Sequence, residues 1–252
     1  MAKKPAKSDR QAVIEQIRKK QKGDEHRRGL AIVMVCVVIA VLIVGAAAFK
    51  PIKDWWDVRQ FKNKDLASIG APVSACQKVT TQKADGNQDH VPTGQAVQYT
   101  TAPPAFGPHW NEAGLAPAPM ERKLYTDGDR PELESLVHNL EHGYTILWYD
   151  QTIADDSGAM DELNGIADKF TGTSNMRDKF IVAPWESDDE GGKSFPDGAH
   201  VALTHWSAGG SGGSDPKKQV GVFQYCSDVS GAALKSFMLD YPYTDSPEPG
   251  AM

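Results

Sequence analysis

Two imidazoles and a carboxylate occur within five residues of this sequence, in the stretch His138–Asn139–Leu140–Glu141–His142. Residues four apart on a helix lie one turn apart on the same face, so the two histidines would point in a common direction with Glu141 beside them. Imidazole nitrogens and carboxylate oxygens are ligands of Zn²⁺ and Cu²⁺. The spacing therefore indicates a transition-metal site as one interpretation of this stretch.

The same residues fit the H-x-x-E-H signature of inverted zinc peptidases, whose glutamate takes a proton from metal-bound water. The third ligand in those enzymes is a glutamate on another helix. Here the downstream acids Glu186 and Glu190 lie in a glycine-rich turn, and Gly143 ends the predicted helix directly after His142. A zinc-dependent hydrolase stays an alternative, no residue is assigned a catalytic role, and enzymatic activity is left open.

Two further histidines, His90 and His109, lie in residues 84–120, where proline and glycine are frequent. Such a segment cannot form a long helix, and long irregular segments in compact domains usually cover a site. We expect this segment to wrap over the helix and add its imidazoles to the site. The predicted metal ligands are therefore His138, His142, His109, His90 and Glu141.

A structural role is the competing interpretation of these histidines. In the last turn of a helix, an imidazole interacts favourably with the helix dipole and can hydrogen-bond free carbonyl groups or the backbone of the wrap. Under that interpretation the domain is a non-catalytic structural or partner-binding module, with an unidentified protein of the cell envelope as its partner.

The elements that must position these residues follow from the hydrophobic pattern. The helix is predicted to begin with Asp129 as its N-cap and Pro131 near its first position, and to end at Gly143. Its apolar face consists of Leu133, Leu136, Val137 and Leu140. Further strands are predicted at 144–149, 180–185, 199–206 and 220–225, and further helices at 158–170 and 231–239. This order predicts an α+β fold, with a small mixed sheet and helices on one of its faces.

The N-terminal residues indicate a membrane anchor. Residues 1–28 hold ten Lys/Arg and four Asp/Glu, a net charge of +6, which leaves 17 basic and 29 acidic side chains, a net of −12, for the other 224 residues. Residues 30–49 carry no charge and are long enough to cross the lipid hydrocarbon. The positive-inside rule then places the N-terminus in the cytoplasm and the domain outside. The acidic balance of the domain argues against nucleic-acid binding.

These boundaries predict a single-pass protein of the cell membrane. Its parts are a cytoplasmic basic tail (1–28), a transmembrane helix (29–50), a stalk (51–70), an extracytoplasmic α+β domain (71–240) and a flexible, proline-rich tail (241–252). The apolar stretch is longer than that of a cleaved signal peptide, although the small residues at 45–48 leave processing open.

The cysteines fit export from the cytoplasm. Cys36 lies in the apolar span, which leaves Cys76 and Cys226, one near each end of the domain. In an oxidising compartment an isolated pair most simply forms a disulfide. The alternative is a pair of thiolates that bind metal, for which neither cysteine has a nearby Cys or His partner at ligand spacing.

Three short motifs together resemble a known family. They are Cys76 followed by Gln88–Asp89–His90–Val91, the stretch from Pro103 to Trp110 with Gly107–Pro108–His109–Trp110 at its end, and His138–Asn139–Leu140–Glu141–His142–Gly143. They are similar to the actinobacterial, membrane-anchored family known as domain of unknown function 3105, over roughly residues 70–240. Asp89 departs from the glycine expected before His90. The resemblance implies an exported domain and no established activity.

Overall fold

The structure is a computed structural model that describes residues 6–84, 88–111 and 118–251. Parts of the predicted basic tail (1–5), wrap (85–87 and 112–117) and C-terminal tail (252) lie outside the described residues. The chain divides into two compact units, Met1–Trp55 and Trp56–Met252.

The first unit is formed by most of α1, Ala6–Arg59. Within it, Gln11–Phe49 is long and apolar enough to cross a membrane, with a mean hydropathy of 3.2 in its most apolar 18 residues. The large apolar side chains of this stretch, such as Leu30, Ile39 and Leu42, are exposed, as the side chains of a helix in contact with lipid would be. The prediction of one apolar helix that could span a membrane is confirmed.

A five-stranded mixed sheet organises the second unit, in the order β1-β7-β6-β4-β5. Its strands are β1 (Thr80–Lys83), β4 (Thr145–Tyr149), β5 (Phe180–Pro184), β6 (Val201–Ser207) and β7 (Val220–Cys226). Strands β4 and β5 are parallel, and the other neighbours are antiparallel. The helices α3 (Gln151–Ala154) and α4 (Ser157–Ala167) connect β4 to β5. The predicted α+β class with a mixed sheet is confirmed.

Helices cover both faces of this sheet, whereas the sequence predicted helices on one face. Leu147 and Tyr149 of β4 pack in a core with α4 and with α5 (Gly231–Asp240). Ile146 and Trp148 of the same strand point the other way and pack against α2 (Leu133–Glu141). Helices are needed on both faces because β4, β5 and β6 carry buried residues on both faces, and each face must pack against another element.

The segment before α2 lies over that helix, as the wrap interpretation predicted. Tyr99 and Ala102 belong to the same core as the apolar residues of α2, and the Val97 N–H donates to Glu134 Oε1 at 2.7 Å. Two short strands in this segment, β2 (His90–Val91) and β3 (His109–Trp110), pair in parallel.

The sequence predicted the C-terminal end of α2 correctly, but it predicted the wrong residue as the N-cap. Glu132 occupies the N-cap position without a side-chain cap, whereas the predicted N-cap, Asp129, closes a turn by accepting from the Thr126 N–H at 2.8 Å. At the other end Gly143 adopts φ +89°, the left-handed conformation that favours glycine after a helix.

The packed region extends beyond both predicted limits of the domain. Phe61 and Ile69, within the predicted stalk, are buried. In the segment predicted as a flexible tail, Asp245 and Ser246 are buried, and Asp245 accepts hydrogen bonds from Ser207 Oγ and the Ala208 N–H. The proline content suggested a frayed end, but a buried aspartate that caps a loop ties the segment to the sheet.

Cys76 and Cys226 form a disulfide, as predicted. Cys226 ends β7, and Cys76 lies beside it as an isolated bridge partner. The bond joins residues 150 positions apart, so it links the start of the domain to its last strand.

Candidate metal centre

The five predicted ligands lie together. His90 and His109 face each other as register partners of β2 and β3, while His138 and His142 lie one turn apart at the end of α2. The ring centroids of His109 and His138 are 5.1 Å apart, which joins the two pairs. The remaining described histidines lie elsewhere: His26 in α1, His200 against Asp150, and His205 in the core.

Glu141 lies between the two histidine pairs. Its Oε2 is 2.9 Å from His109 Nε2 and 3.6 Å from His90 Nε2. On the helix, His138 Nε2 and His142 Nε2 are 3.1 Å apart. Two ligands bound to one zinc ion at about 2.0–2.1 Å are separated by about 2.9–3.4 Å for bond angles between a right angle and the tetrahedral value. Both short separations match that range.

Of the five predicted ligands, four are buried and one, His90, is exposed. His109, Glu141, His138 and His142 are 0–7% exposed, whereas the His90 side chain is 40% exposed. Burial at this depth excludes bulk water from the carboxylate, which strengthens its interaction with any nearby cation. His90 therefore marks one side from which an ion could enter.

Both ring nitrogens of His109 face acceptors. Nδ1 is 2.9 Å from the Gly107 carbonyl oxygen, and Nε2 is 2.9 Å from the Glu141 carboxylate. A neutral imidazole has one N–H, so donation to Gly107 leaves a lone pair directed at the carboxylate. This contact between a lone pair and a carboxylate is repulsive. It becomes favourable if His109 carries a second proton or if a metal cation lies between Nε2 and Glu141. The hydrogen bond to Gly107 also fixes the ring as metal-binding histidines are usually fixed.

A chain of amide groups holds the other oxygen of Glu141. Gln88 Nε2 donates to Glu141 Oε1 at 2.8 Å, and Gln219 Nε2 donates to Gln88 Oε1 at 2.7 Å. Trp206 Nε1 donates in turn to Gln219 Oε1 at 3.1 Å. Because each member donates toward the carboxylate, the chain orients Glu141 and stabilises its charged form.

His90 is oriented by Asn111, whose amide lies 3.1 Å from His90 Nδ1. The contacting atom is Asn111 Nδ2, which donates to Nδ1, so a neutral His90 carries its proton on Nε2 and would release it on binding a cation there. Nδ1 of His138 and Nδ1 of His142 are buried and have no hydrogen-bond partner among the described residues.

The electrostatics of the cluster keep the carboxylate charged and the helical imidazoles neutral. Burial raises the pKa of Glu141, but hydrogen bonds from His109 and Gln88 outweigh it and bring the pKa to about 2. Burial, with repulsion from His138 added, lowers the pKa of His142 to about 4. Burial also lowers the pKa of His138, and the charge of His109 acts in the same direction. Deprotonated imidazoles and an ionised carboxylate are the forms that bind metal.

Sequence reasoning missed Glu248, which lies in the segment expected to be a flexible tail. Glu248 Oε2 is 3.6 Å from His142 Nε2, and the Glu248 N–H donates to the Glu141 carbonyl oxygen at 3.0 Å. A single acid in a proline-rich segment gave no signal of this contact. The contacts of two glutamines were also missed: Gln88 was noted only as part of a family motif, and the isolated Gln219 gave no signal.

Among the described residues, the potential ligand atoms form two groups, His90–His109–Glu141 and His138–Glu141–His142, each with all its atoms within 4.8 Å of one another. Nitrogen and oxygen donors in these numbers suit zinc or copper. The arrangement can hold a metal ion, and its burial is typical of a site that retains its ion.

Comparison with known proteins gives a family and no activity. No curated protein and no solved structure matches the chain. A family model described as a protein of unknown function (DUF3105) matches residues 90–252, which include all five predicted ligands and Glu248. Because this match covers more than half of the chain, the protein belongs to the DUF3105 family of proteins of unknown function.

Proposed function

We propose that this protein is a membrane-anchored, extracytoplasmic domain that binds a divalent transition metal, Zn²⁺ or Cu²⁺, through the buried cluster. The carrying observation is the convergence of imidazole Nε2 atoms from two separate parts of the chain on the buried carboxylate of Glu141. Its ion-pair partners within the described residues are the imidazoles of His90 and His109.

Physical cost supports metal binding over a purely structural role. A buried carboxylate is stable only when charge partners and hydrogen bonds replace water, and losing that compensation costs several kcal/mol. Among the described residues, Glu141 is paired with imidazoles alone, and a divalent cation would add a fixed positive charge beside it. The same cation would use the lone pairs of His138 and His142, which otherwise share at most one proton between their Nε2 atoms.

The hydrolase alternative has less support in the geometry. A glutamate that activates metal-bound water must present a free oxygen to that water. Both oxygens of Glu141 are already engaged, Oε1 by Gln88 and Oε2 by His109. Glu141 is also 1% exposed. These contacts fit a ligand or an orienting carboxylate, so the proposal is for metal binding.

The location of the domain rests on charge and redox state. The basic residues precede the apolar part of α1, which favours a cytoplasmic N-terminus. The Cys76–Cys226 disulfide requires an oxidising compartment for the rest of the chain.

Metal content of the purified full-length chain in detergent tests the proposal. After exposure to micromolar Zn²⁺ and desalting, the wild type should retain zinc, and His138→Ala/His142→Ala should weaken binding at least ~100-fold in competition with a chromophoric chelator. His200→Ala, which removes a histidine paired with Asp150 outside the cluster, is the matched control and should bind as the wild type does. A wild-type chain that retains neither zinc nor copper would overturn the proposal. Under the structural alternative, the double variant would melt at a lower temperature with no metal-dependent difference.

A further inference from the structure

The potential ligands divide into two groups that share a single residue. His90 and His109 belong to one group, His138 and His142 belong to the other, and Glu141 belongs to both. One cation with bonds of about 2.0–2.1 Å cannot separate its ligand atoms by more than about 4.2 Å. The four imidazoles fall into two separate groups that share only Glu141, so they fit two ions better than one.

A carboxylate between two imidazole pairs is the arrangement that bridges two cations. In two-metal sites the ions lie about 3.5–4 Å apart, and a bridging carboxylate spans that distance with one oxygen on each ion. Glu141 Oε1 would then bind the second ion through one lone pair while it accepts from Gln88 through the other. Glu141 Oε2 is directed at His109 and His90, and a Glu141 oxygen also lies within 4.8 Å of ligand atoms of His138 and His142. Glu141 is held there by Gln88, so its position does not depend on the ions themselves.

In the described part of the chain, the helical group shares its carboxylate, Glu141, with the other pair, and Glu248 is a further acid that lies beside His142. Glu248 Oε2 is 3.6 Å from His142 Nε2, close to the separation of two ligands on one ion. Its side chain is 49% exposed, so it approaches the buried imidazole from the solvent side.

Two anchors place Glu248 at this point. Its own N–H donates to the Glu141 carbonyl oxygen at 3.0 Å. Beyond it, the buried ammonium of Lys179 donates to the carbonyl oxygens of Pro249 and Ala251 at 3.0 and 2.7 Å, and to that of His142 at 2.6 Å. One ammonium thus ties the end of α2 to the segment that carries Glu248.

We propose that the centre takes two divalent cations bridged by Glu141, one bound by His90 and His109 and the other by His138, His142 and Glu248. The proposal rests on the proposed metal-binding function and adds its stoichiometry and a sixth ligand. The donors are nitrogen and oxygen atoms, which favour Zn²⁺ or Cu²⁺ at both positions. Cys76 and Cys226 supply no thiolate because they form a disulfide with each other.

The first test is the number of zinc ions bound per full-length chain in detergent. The wild type saturated with Zn²⁺ and desalted should contain two zinc ions per chain by mass spectrometry of the metal. His142→Ala and His90→Ala should each contain one, and the control His200→Ala should contain two. One ion per wild-type chain would overturn the two-cation proposal and leave the proposed function standing. No ion would overturn both.

Glu248→Gln tests the sixth ligand and keeps the volume of the side chain. It should weaken the weaker of the two binding steps by roughly 10–100-fold and leave the other unchanged. Glu186→Gln is the control, since Glu186 is an acid that lies against Arg130, away from the histidines. Two unchanged binding steps in Glu248→Gln would remove Glu248 from the centre.

A spectroscopic readout of the wild type guards against variants that fail to fold. Loaded with two Cu²⁺ per chain, the protein should show magnetic coupling between neighbouring copper ions in its electron paramagnetic resonance spectrum. Loaded with one, it should show the signal of an isolated ion. An uncoupled spectrum at two Cu²⁺ per chain would place the second ion elsewhere and overturn the proposal.

Discussion

At the scale of single residues, the centre depends on one buried anion among neutral bases. Glu141 keeps its charge because His109 and Gln88 donate to it, although burial opposes ionisation. Burial favours the neutral forms of His138 and His142. The same preference prepares these groups for a cation and makes the metal-free protein sensitive to acid, since protonation of an imidazole would place an unpaired charge in the interior.

This sensitivity gives a prediction for the chain after metal removal by a chelator. The pKa of His142 falls from 6.5 to about 4 on folding, so the unfolded state binds more protons between these values and stability decreases as pH falls from about 6.5 to about 4. At 1.36 kcal/mol per pKa unit, the loss from His142 is up to about 3 kcal/mol.

The midpoint of urea unfolding, followed by tryptophan fluorescence, measures this loss. His142→Asn should flatten the dependence over this pH range. Equal midpoints for the wild type at pH 7 and pH 4.5 would contradict the inferred neutral state of the buried imidazole.

At the scale of elements, the junction after α2 does two things at once. Gly143 ends the helix with φ +89°, and its Cα faces the C-terminal segment so closely that an added Cβ would lie 2.4 Å from the Tyr243 carbonyl oxygen. The stop signal that the sequence showed therefore also makes room for the segment that brings Glu248 to the site.

Gly143→Ala should destabilise the fold through both effects. Left-handed backbone costs a residue with a Cβ about 1–2 kcal/mol, and displacement of the C-terminal segment adds to that cost. Gly94→Ala is the matched control, because Gly94 has φ +86° with nothing within 4 Å of an added Cβ. In urea unfolding, Gly143→Ala should lose more stability than Gly94→Ala, and it should also weaken zinc binding. Equal losses of stability in the two variants would mean that the C-terminal segment moves away from the added Cβ at no cost in free energy.

The helices and strands that could be predicted are those that a local sequence pattern determines. The strand prediction at 180–185 matches β5 at Phe180–Pro184, and the helix prediction at 231–239 matches α5 at Gly231–Asp240, because continuous apolar runs and the Ser230 cap are local signals. The approach of His90 and His109 followed from their place in a proline-rich segment that had to cover something. The approach of Glu248 depends on buried Lys179 and Asp245, whose partners are distant carbonyl and hydroxyl groups. No pattern in the sequence shows such pairings.

At the scale of the whole molecule, charge, hydropathy and redox state each favour the proposed orientation. The basic residues lie before the apolar part of α1, and the disulfide lies after it. The Debye length at physiological salt is about 8 Å, so basic residues close to the membrane surface contribute most to holding the N-terminus inside. The metal centre would then face a compartment in which thiols are oxidised and histidines are the better ligands for copper and zinc.

Protease treatment of intact protoplasts tests this orientation directly. The domain after residue 50 should be digested while a cytoplasmic marker protein survives, because the net charge of +6 in residues 1–28 resists translocation. In the same cells, a non-reduced digest should contain one peptide pair linked through Cys76 and Cys226, with Cys36 alkylated as the internal control for a free thiol.

Replacement of Lys19, Lys20, Lys22, Arg27 and Arg28 by serine should protect the domain in part of the population, since these residues lie nearest the span. A protected wild-type domain with Cys76 and Cys226 open to alkylation would place the metal centre in the cytoplasm.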